Sequence, residues 1–183
     1  MFSPHSQIRV RIVSRTPVEK LDQTFFIQRF LQCKQYRERF FPGEQTYRAV
    51  YGEADFLPGL VVDKFGNILV MQVLSMGMEA HRQEIIGALV EVFQPDGIYE
   101  RSDAGVRELE GLEKVSGPVY GDCPRFVDIE ENGLKIRVDI VEGQKTGYFF
   151  DQRENRAAIA KLMTGWGQRS GIRLVEVEEN GAV

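Results

Sequence analysis

Residues 143–156 read GQKTGYFFDQRENR and hold the densest set of chemically useful side chains in the sequence. Gly143 and Gly147 can adopt backbone angles closed to other residues, and they let a ligand approach the main chain. Lys145 supplies a cation and Thr146 a hydroxyl. Tyr148, Phe149 and Phe150 present flat apolar faces suited to a heterocyclic base. Asp151, Gln152, Arg153, Glu154 and Arg156 follow as a polar cluster at the start of a helix. Such a set suits a small zwitterion that carries a purine. The same residues also fit a plain helix start. Asp151 and Glu154 have the spacing of an N-cap and its third helical residue, and Gly147 then only ends a strand. Residue types alone leave both readings open.

A second patch gathers Glu100, Arg101, Asp103 and Arg107. Arginine binds phosphate through paired N–H donors, so RNA contact is one reading and a salt-bridged loop the other. Two carboxylate pairs, Glu53 with Asp55 and Glu108 with Glu110, have nothing to set them across a cleft, and they read as solvated surface. Cys33 sits among Phe30, Leu31 and Tyr36 and reads as core, while Cys123 falls in a loop. Two cysteines and two histidines do not make a metal centre or a disulfide framework.

These groups need elements to position them. Residues 7–13 alternate, with Ile8, Val10 and Ile12 on one side and Arg9 and Arg11 on the other, which predicts a half-buried strand. Residues 22–40 predict a helix capped by Asp22, its apolar face built from Phe25, Phe26, Ile27, Phe30, Leu31 and Cys33. Strands are expected over 47–51, 59–63 and 68–74, with a type II turn at Leu57-Pro58-Gly59-Leu60. An amphipathic helix is expected over 78–93, then strands over 97–101 and 125–130 with an irregular charged loop between them. Glu131-Asn132-Gly133 predicts a hairpin turn into a strand over 134–141. A helix over 151–163 follows, and an alternating stretch over 165–183 ends in a second hairpin-type turn, Glu179-Asn180-Gly181. The expected class is α+β, an antiparallel sheet with one or two covering helices.

The chain has 183 residues, 43% hydrophobic and 27% charged, an ordinary globular balance. A net charge of −4 argues against general polyanion binding. Local basic clusters remain, Arg9, Arg11 and Arg15 at the start and Lys34, Arg37 and Arg39 on the first helix. No apolar run of membrane-spanning length occurs, and arginines interrupt the early apolar run that a signal peptide would need. The expected compartment is the cytoplasm.

The long string resembles the G-x-K-T-G-x-F-x-D-Q-R-x-N-R segment of the class I S-adenosylmethionine-dependent rRNA large-subunit (cytosine-C5) methyltransferases of the RlmI type. Ser6-Gln7-Ile8-Arg9-Val10-Arg11 is similar to the last strand of that family's N-terminal PUA domain. Leu57-Pro58-Gly59-Leu60-Val61-Val62-Asp63 resembles its LPGLxVD turn. The stretch from Tyr99-Glu100-Arg101-Ser102-Asp103 through Arg107 to Glu110-Gly111-Leu112, and the Glu131-Asn132-Gly133-Leu134 hairpin, follow in the family's order. The resemblance implies a PUA remnant over 1–15, a linking helix over 16–45, a central α+β domain over 46–142, and the start of a Rossmann-like catalytic domain over 143–183.

It further implies methyl transfer from S-adenosyl-L-methionine to large-subunit rRNA, without metal or membrane. Lys145, Thr146, Gly147, Tyr148, Phe149, Asp151 and Arg153 would lie toward the methyl donor, and Arg101 and Arg107 toward RNA. The family's glycine-rich cofactor loop and its attacking cysteine are absent from this sequence, so the expected chain is incomplete at both ends and inactive alone. The alternative is a non-enzymatic RNA-binding or protein-interaction module. Oligomeric state is not legible.

Overall fold

Asp22 begins the first long helix as its spacing predicts: its carboxylate accepts from the Phe25 N–H at 3.1 Å, and helix α1 spans Gln23–Phe40. The computed structural model describes residues 1–163, with side chains through 159. The chain forms two units, Met1–Tyr148 and Phe149–Val183.

In the first unit, strands β1 (Thr46–Tyr51), β2 (Leu60–Phe65), β3 (Ile68–Val73), β4 (Gly97–Ser102) and β5 (Val115–Gly121) form one sheet in sequence order. All neighbours are antiparallel except β3 and β4. The sheet is therefore mixed, not wholly antiparallel. The parallel step follows from the connection: a short helical turn α2 (Met76–Glu79) and helix α3 (Arg82–Phe93) carry the chain back to the end where β3 began. A one-turn helix α4 (Val106–Leu109) and the hairpin β6 (Phe126–Glu131) and β7 (Leu134–Asp139) complete the unit.

Alternate residues of each strand face opposite sides. Leu60, Val62, Leu69, Met71, Val73 and Ile98 point toward α1 and α3, where they bury Phe26, Phe30, Ile85 and Leu89. The helical spacing of Phe26, Phe30, Cys33 and Arg37 explains why α1 can lie along that core. Asp63, Phe65, Ile68 and Val70 lie on the other face, also buried. The hairpin packs on that side, with β6 against β2 and with Ile129, Val138 and Ile140 buried.

Gly59 stands at φ +84 and the Leu60 N–H reaches the Leu57 carbonyl at 2.9 Å, the geometry of the expected type II turn. Asn132 and Gly133 both have positive φ, as a two-residue hairpin loop requires.

Two readings need correction. Residues 7–13 make no strand: the segment turns back on itself, with one isolated bridge between Phe2 and Val10. Its sidedness is also inverted. Ile8, Val10 and Ile12 are 63%, 69% and 69% exposed, while the Arg11 guanidinium points inward to Ser3, Ser6 and the buried carboxylate of Glu110. A buried carboxylate needs a charged partner, and that need prevails over the apolar alternation. The charged loop expected before residue 125 contains β5. Gly117 and Pro118 argue against a strand in the sequence, but β5 is an edge strand, where a missing N–H is tolerated.

In the second unit, a 3-10 turn (Phe150–Gln152) leads into α5 (Arg153–Met163), so the helix starts two residues after Asp151. The alternating stretch over 165–183 lies outside the described residues.

Among the described residues no helix is long and apolar enough to cross a membrane, and no cluster of three or more His, Cys, Asp or Glu is arranged to hold a metal.

Candidate functional site

Strand β2 ends its apolar run in Asp63, whose side chain is fully buried. Cross-strand register sets Arg48 of β1 directly opposite. The Arg48 guanidinium grips both carboxylate oxygens, Nε to Oδ1 at 2.8 Å and Nη2 to Oδ2 at 3.0 Å. The Thr146 hydroxyl donates to Asp63 Oδ2 at 2.5 Å. Two motifs that lie 83 positions apart thus meet at one buried carboxylate. Thr146 is itself fully buried, so its hydroxyl anchors the segment and does not face solvent.

The backbone of this segment is shaped by a second contact. The Gly143 N–H donates to the Asp139 carbonyl at 3.1 Å, and the Gly147 N–H to that of Gln144 at 2.9 Å. A Cβ at Gly143 or Gly147 would overlap the Asp139 carbonyl oxygen, and Gly147 stands at φ +111. Both glycines are therefore required by the chain's own close approach. Between them Lys145 sits exposed at φ +58, an uncommon angle for a residue with a side chain. Tyr148 is half-buried at the end of this unit.

In the second unit Phe149, Phe150 and Arg153 are half-buried and Asp151 is exposed. The Gln152 amide donates to Asp151 at 3.2 Å, and Arg156 Nη2 to the Phe149 carbonyl at 3.0 Å. The division between the units falls inside the GQKTGYFFDQRENR string, after Tyr148.

The second sequence patch is a scaffold. Arg107 is 2% exposed and donates to the Val73 carbonyl at 2.5 Å, the Glu113 carbonyl at 2.6 Å and Glu79 at 2.8 Å. Arg101, also buried, holds the Ile140 carbonyl at 3.1 Å, with Asp103 further off at 3.4 Å. Glu100 is buried between Arg82 Nη2 and the Ser102 hydroxyl, each at 2.6 Å. Burial works to raise the Glu110 carboxyl, but hydrogen bonds from Ser6, Arg11, the Met76 N–H and Ser3 outweigh it and hold the group at about 2. The salt-bridged alternative describes this patch, and neither Arg101 nor Arg107 turns its guanidinium to solvent. Burial, then the charge of Asp55, pushes the Cys33 thiol up to about 12, so it stays protonated.

Residue-type reasoning passed over Arg48 and Asp63. The signal was present: a lone carboxylate closing the apolar run Leu60-Val61-Val62 must find a cation if its face is buried.

Comparison with known proteins adds an independent line. No family model matches the chain. The chain is 47% identical over 164 residues to ribosomal RNA large subunit methyltransferase I of Pseudoalteromonas translucida, covering 88% of this chain and 41% of the relative. Its identity to the protein of the same name from Escherichia coli (strain SMS-3-5 / SECEC) is 45% over 165 residues, 88% of this chain and 42% of that one. Over that span the chain is homologous to these rRNA methyltransferases. It spans about two fifths of their length. Among solved structures, a Streptococcus mutans protein assigned as a SAM-dependent methyltransferase matches with a TM-score of 0.68 and 28% identity, over 80% of this chain and 38% of that one. A methyltransferase complexed with SAH matches at 0.65 and 28%, over 79% and 36%. The mixed α+β fold is thus one found within methyltransferases.

Proposed function

We propose that this chain is part of an S-adenosylmethionine-dependent methyltransferase that modifies C5 of a cytosine in large-subunit rRNA. The observation that carries the reading is the 45–47% identity over 88% of the chain, which includes the string and the Asp63 motif that anchors it. An rRNA substrate implies a cytoplasmic setting.

The donor set suits the methyl donor chemically. The exposed Lys145 ammonium complements a methionine carboxylate, and Arg153 supplies a second cation. The half-buried rings of Tyr148 and Phe149 suit an adenine face. Thr146 acts from beneath: its bond to Asp63 ties the backbone between Lys145 and Gly147 to β2. When bound, the donor supplies an electrophilic methyl group on a sulfonium. The residues of this chain bind and orient it, and positioning is a large part of catalysis in such a transfer. Asp151 lies in the 3-10 turn that leads into α5. Arg101 and Arg107 serve RNA only indirectly, by holding β4 and the turn after it in shape.

The test uses a protein containing this sequence at the full length of its relatives. It is incubated with methyl-tritiated S-adenosylmethionine and large-subunit rRNA, and the RNA is digested to nucleosides. Label in 5-methylcytidine is expected; label in another nucleoside, or none, rejects the reading.

A further inference from the structure

A groove of about 540 Å³ runs between α1 and the 3-10 turn after β1 (Gly52–Asp55), on the first unit. Its floor is electrically closed. Arg37 is bidentate to Asp55, at 2.7 and 2.6 Å, and the Tyr51 N–H adds a third bond to the same carboxylate at 2.6 Å. Cys33 beneath stays a thiol because its pKa is raised. The floor therefore carries no uncompensated negative charge.

The rim is different. Tyr36 and Tyr51 flank the groove, each 57% exposed. Phe56 stands at φ +57, where a bulky side chain is a genuine outlier, and its ring is presented under the Arg15 and Arg29 guanidinium groups at 5.3 and 5.6 Å. Arg48 lies over the Tyr51 ring at 5.3 Å. Exposed aromatic faces interleaved with guanidinium planes are what a flexible polyanion with stacking bases recognises. The acidic neighbour Glu53 lies on the turn, outside the lining. A peptide ligand would want deep apolar pockets, and this groove has flat rings and cations instead.

We propose that this groove is a stacking site for unpaired RNA bases. Tyr36 and Tyr51 take bases on their faces, and Arg15 and Arg29 hold the phosphates between them. The proposal rests on the rRNA reading above and adds a place and a mode of binding to it. The chain's net charge of −4 fits a site that works through stacking and a few local cations, not through a general positive field.

The experiment is fluorescence anisotropy of a labelled twelve-nucleotide oligouridylate, with a duplex RNA of equal length as competitor. The oligouridylate should bind at low salt and resist the duplex. Tyr36→Ala and Tyr51→Ala should each weaken binding by roughly 5- to 100-fold, the cost of losing one stacked base. Tyr36→Phe should restore it. Arg15→Gln should lower the slope of log affinity against log salt by about one contact's worth. Thermal unfolding should be unchanged in all of them, because these side chains are exposed. If the Tyr36→Ala/Tyr51→Ala double variant binds as tightly as the parent, the groove is not the site, while the rRNA reading stands. If the parent binds no single-stranded RNA, the groove assignment is overturned together with direct RNA contact by this unit. If the double variant changes only sedimentation and not RNA affinity, the groove is a protein interface and the proposal fails.

Discussion

Residues 99–112 and 143–156 look alike in the sequence, both dense in charge and both candidates for ligand contact. In the structure they part company. The first stretch turns its arginines inward: Arg107 donates to two carbonyls and a carboxylate, Arg101 to the Ile140 carbonyl, and Glu100 and Glu110 are each buried against one arginine, Arg82 and Arg11. The second buries the Thr146 hydroxyl against Asp63, while the Lys145 side chain lies exposed at the surface. Charge that the fold neutralises internally cannot also be presented to a ligand. The difference separates scaffold from candidate site, and residue type alone does not reveal it.

The largest effect should come from breaking the scaffold. Arg107→Ala leaves the Val73 and Glu113 carbonyls and the Glu79 carboxylate without their donor, and should cost about 3–5 kcal/mol in urea unfolding. Arg107→Lys should recover only part, since an ammonium cannot reproduce the planar fork. Asp63→Ala should follow at about 3 kcal/mol, because it removes the buried carboxylate that Arg48 and Thr146 both bind. Its specific signature is faster amide exchange over 143–147, where Arg107→Ala should show no local preference.

A smaller and pH-dependent effect belongs to Glu110. Its folded pKa of about 2 lies below the ordinary 4.5, so its contribution is fully present above about pH 4.5 and is lost as pH falls toward 2. Glu110→Gln should cost about 1–3 kcal/mol at pH 7 and flatten the stability profile between those pH values, as measured by denaturant midpoints. The smallest effect sharpens the contrast from the other side: Lys145→Ala, exposed, should shift stability by no more than about 0.5 kcal/mol.

Local signals were legible where the cause is local. The Asp22 cap, the Pro58-Gly59 turn and the Asn132-Gly133 loop depend on neighbours within a few residues, and the structure bears them out. Of the expected apolar face of α1, Phe26, Phe30 and Cys33 are buried, while Leu31 is exposed and Arg37 takes a buried place beside them. Long-range causes were not. The Asp63–Thr146 bond joins residues 83 positions apart, and no spacing rule reaches that far. The inverted N-terminal segment follows from Glu110, 99 residues from Arg11. Strand β5 was hidden because an edge position tolerates the Gly117 and Pro118 that a central strand would exclude. Of the candidate residues, the glycines at 143 and 147 were recognised, but for ligand approach; the Asp139 carbonyl supplies a sufficient reason within the chain.

The decisive measurement is calorimetric titration of S-adenosylmethionine into a full-length relative carrying, in turn, alanine at the position of Lys145 and lysine at the position of Arg107. The first substitution should weaken donor binding about tenfold with an unchanged melting temperature, and the second should lower the melting temperature with donor affinity intact. The opposite pattern, with donor affinity lost at the arginine and untouched at the lysine, would contradict the division drawn here.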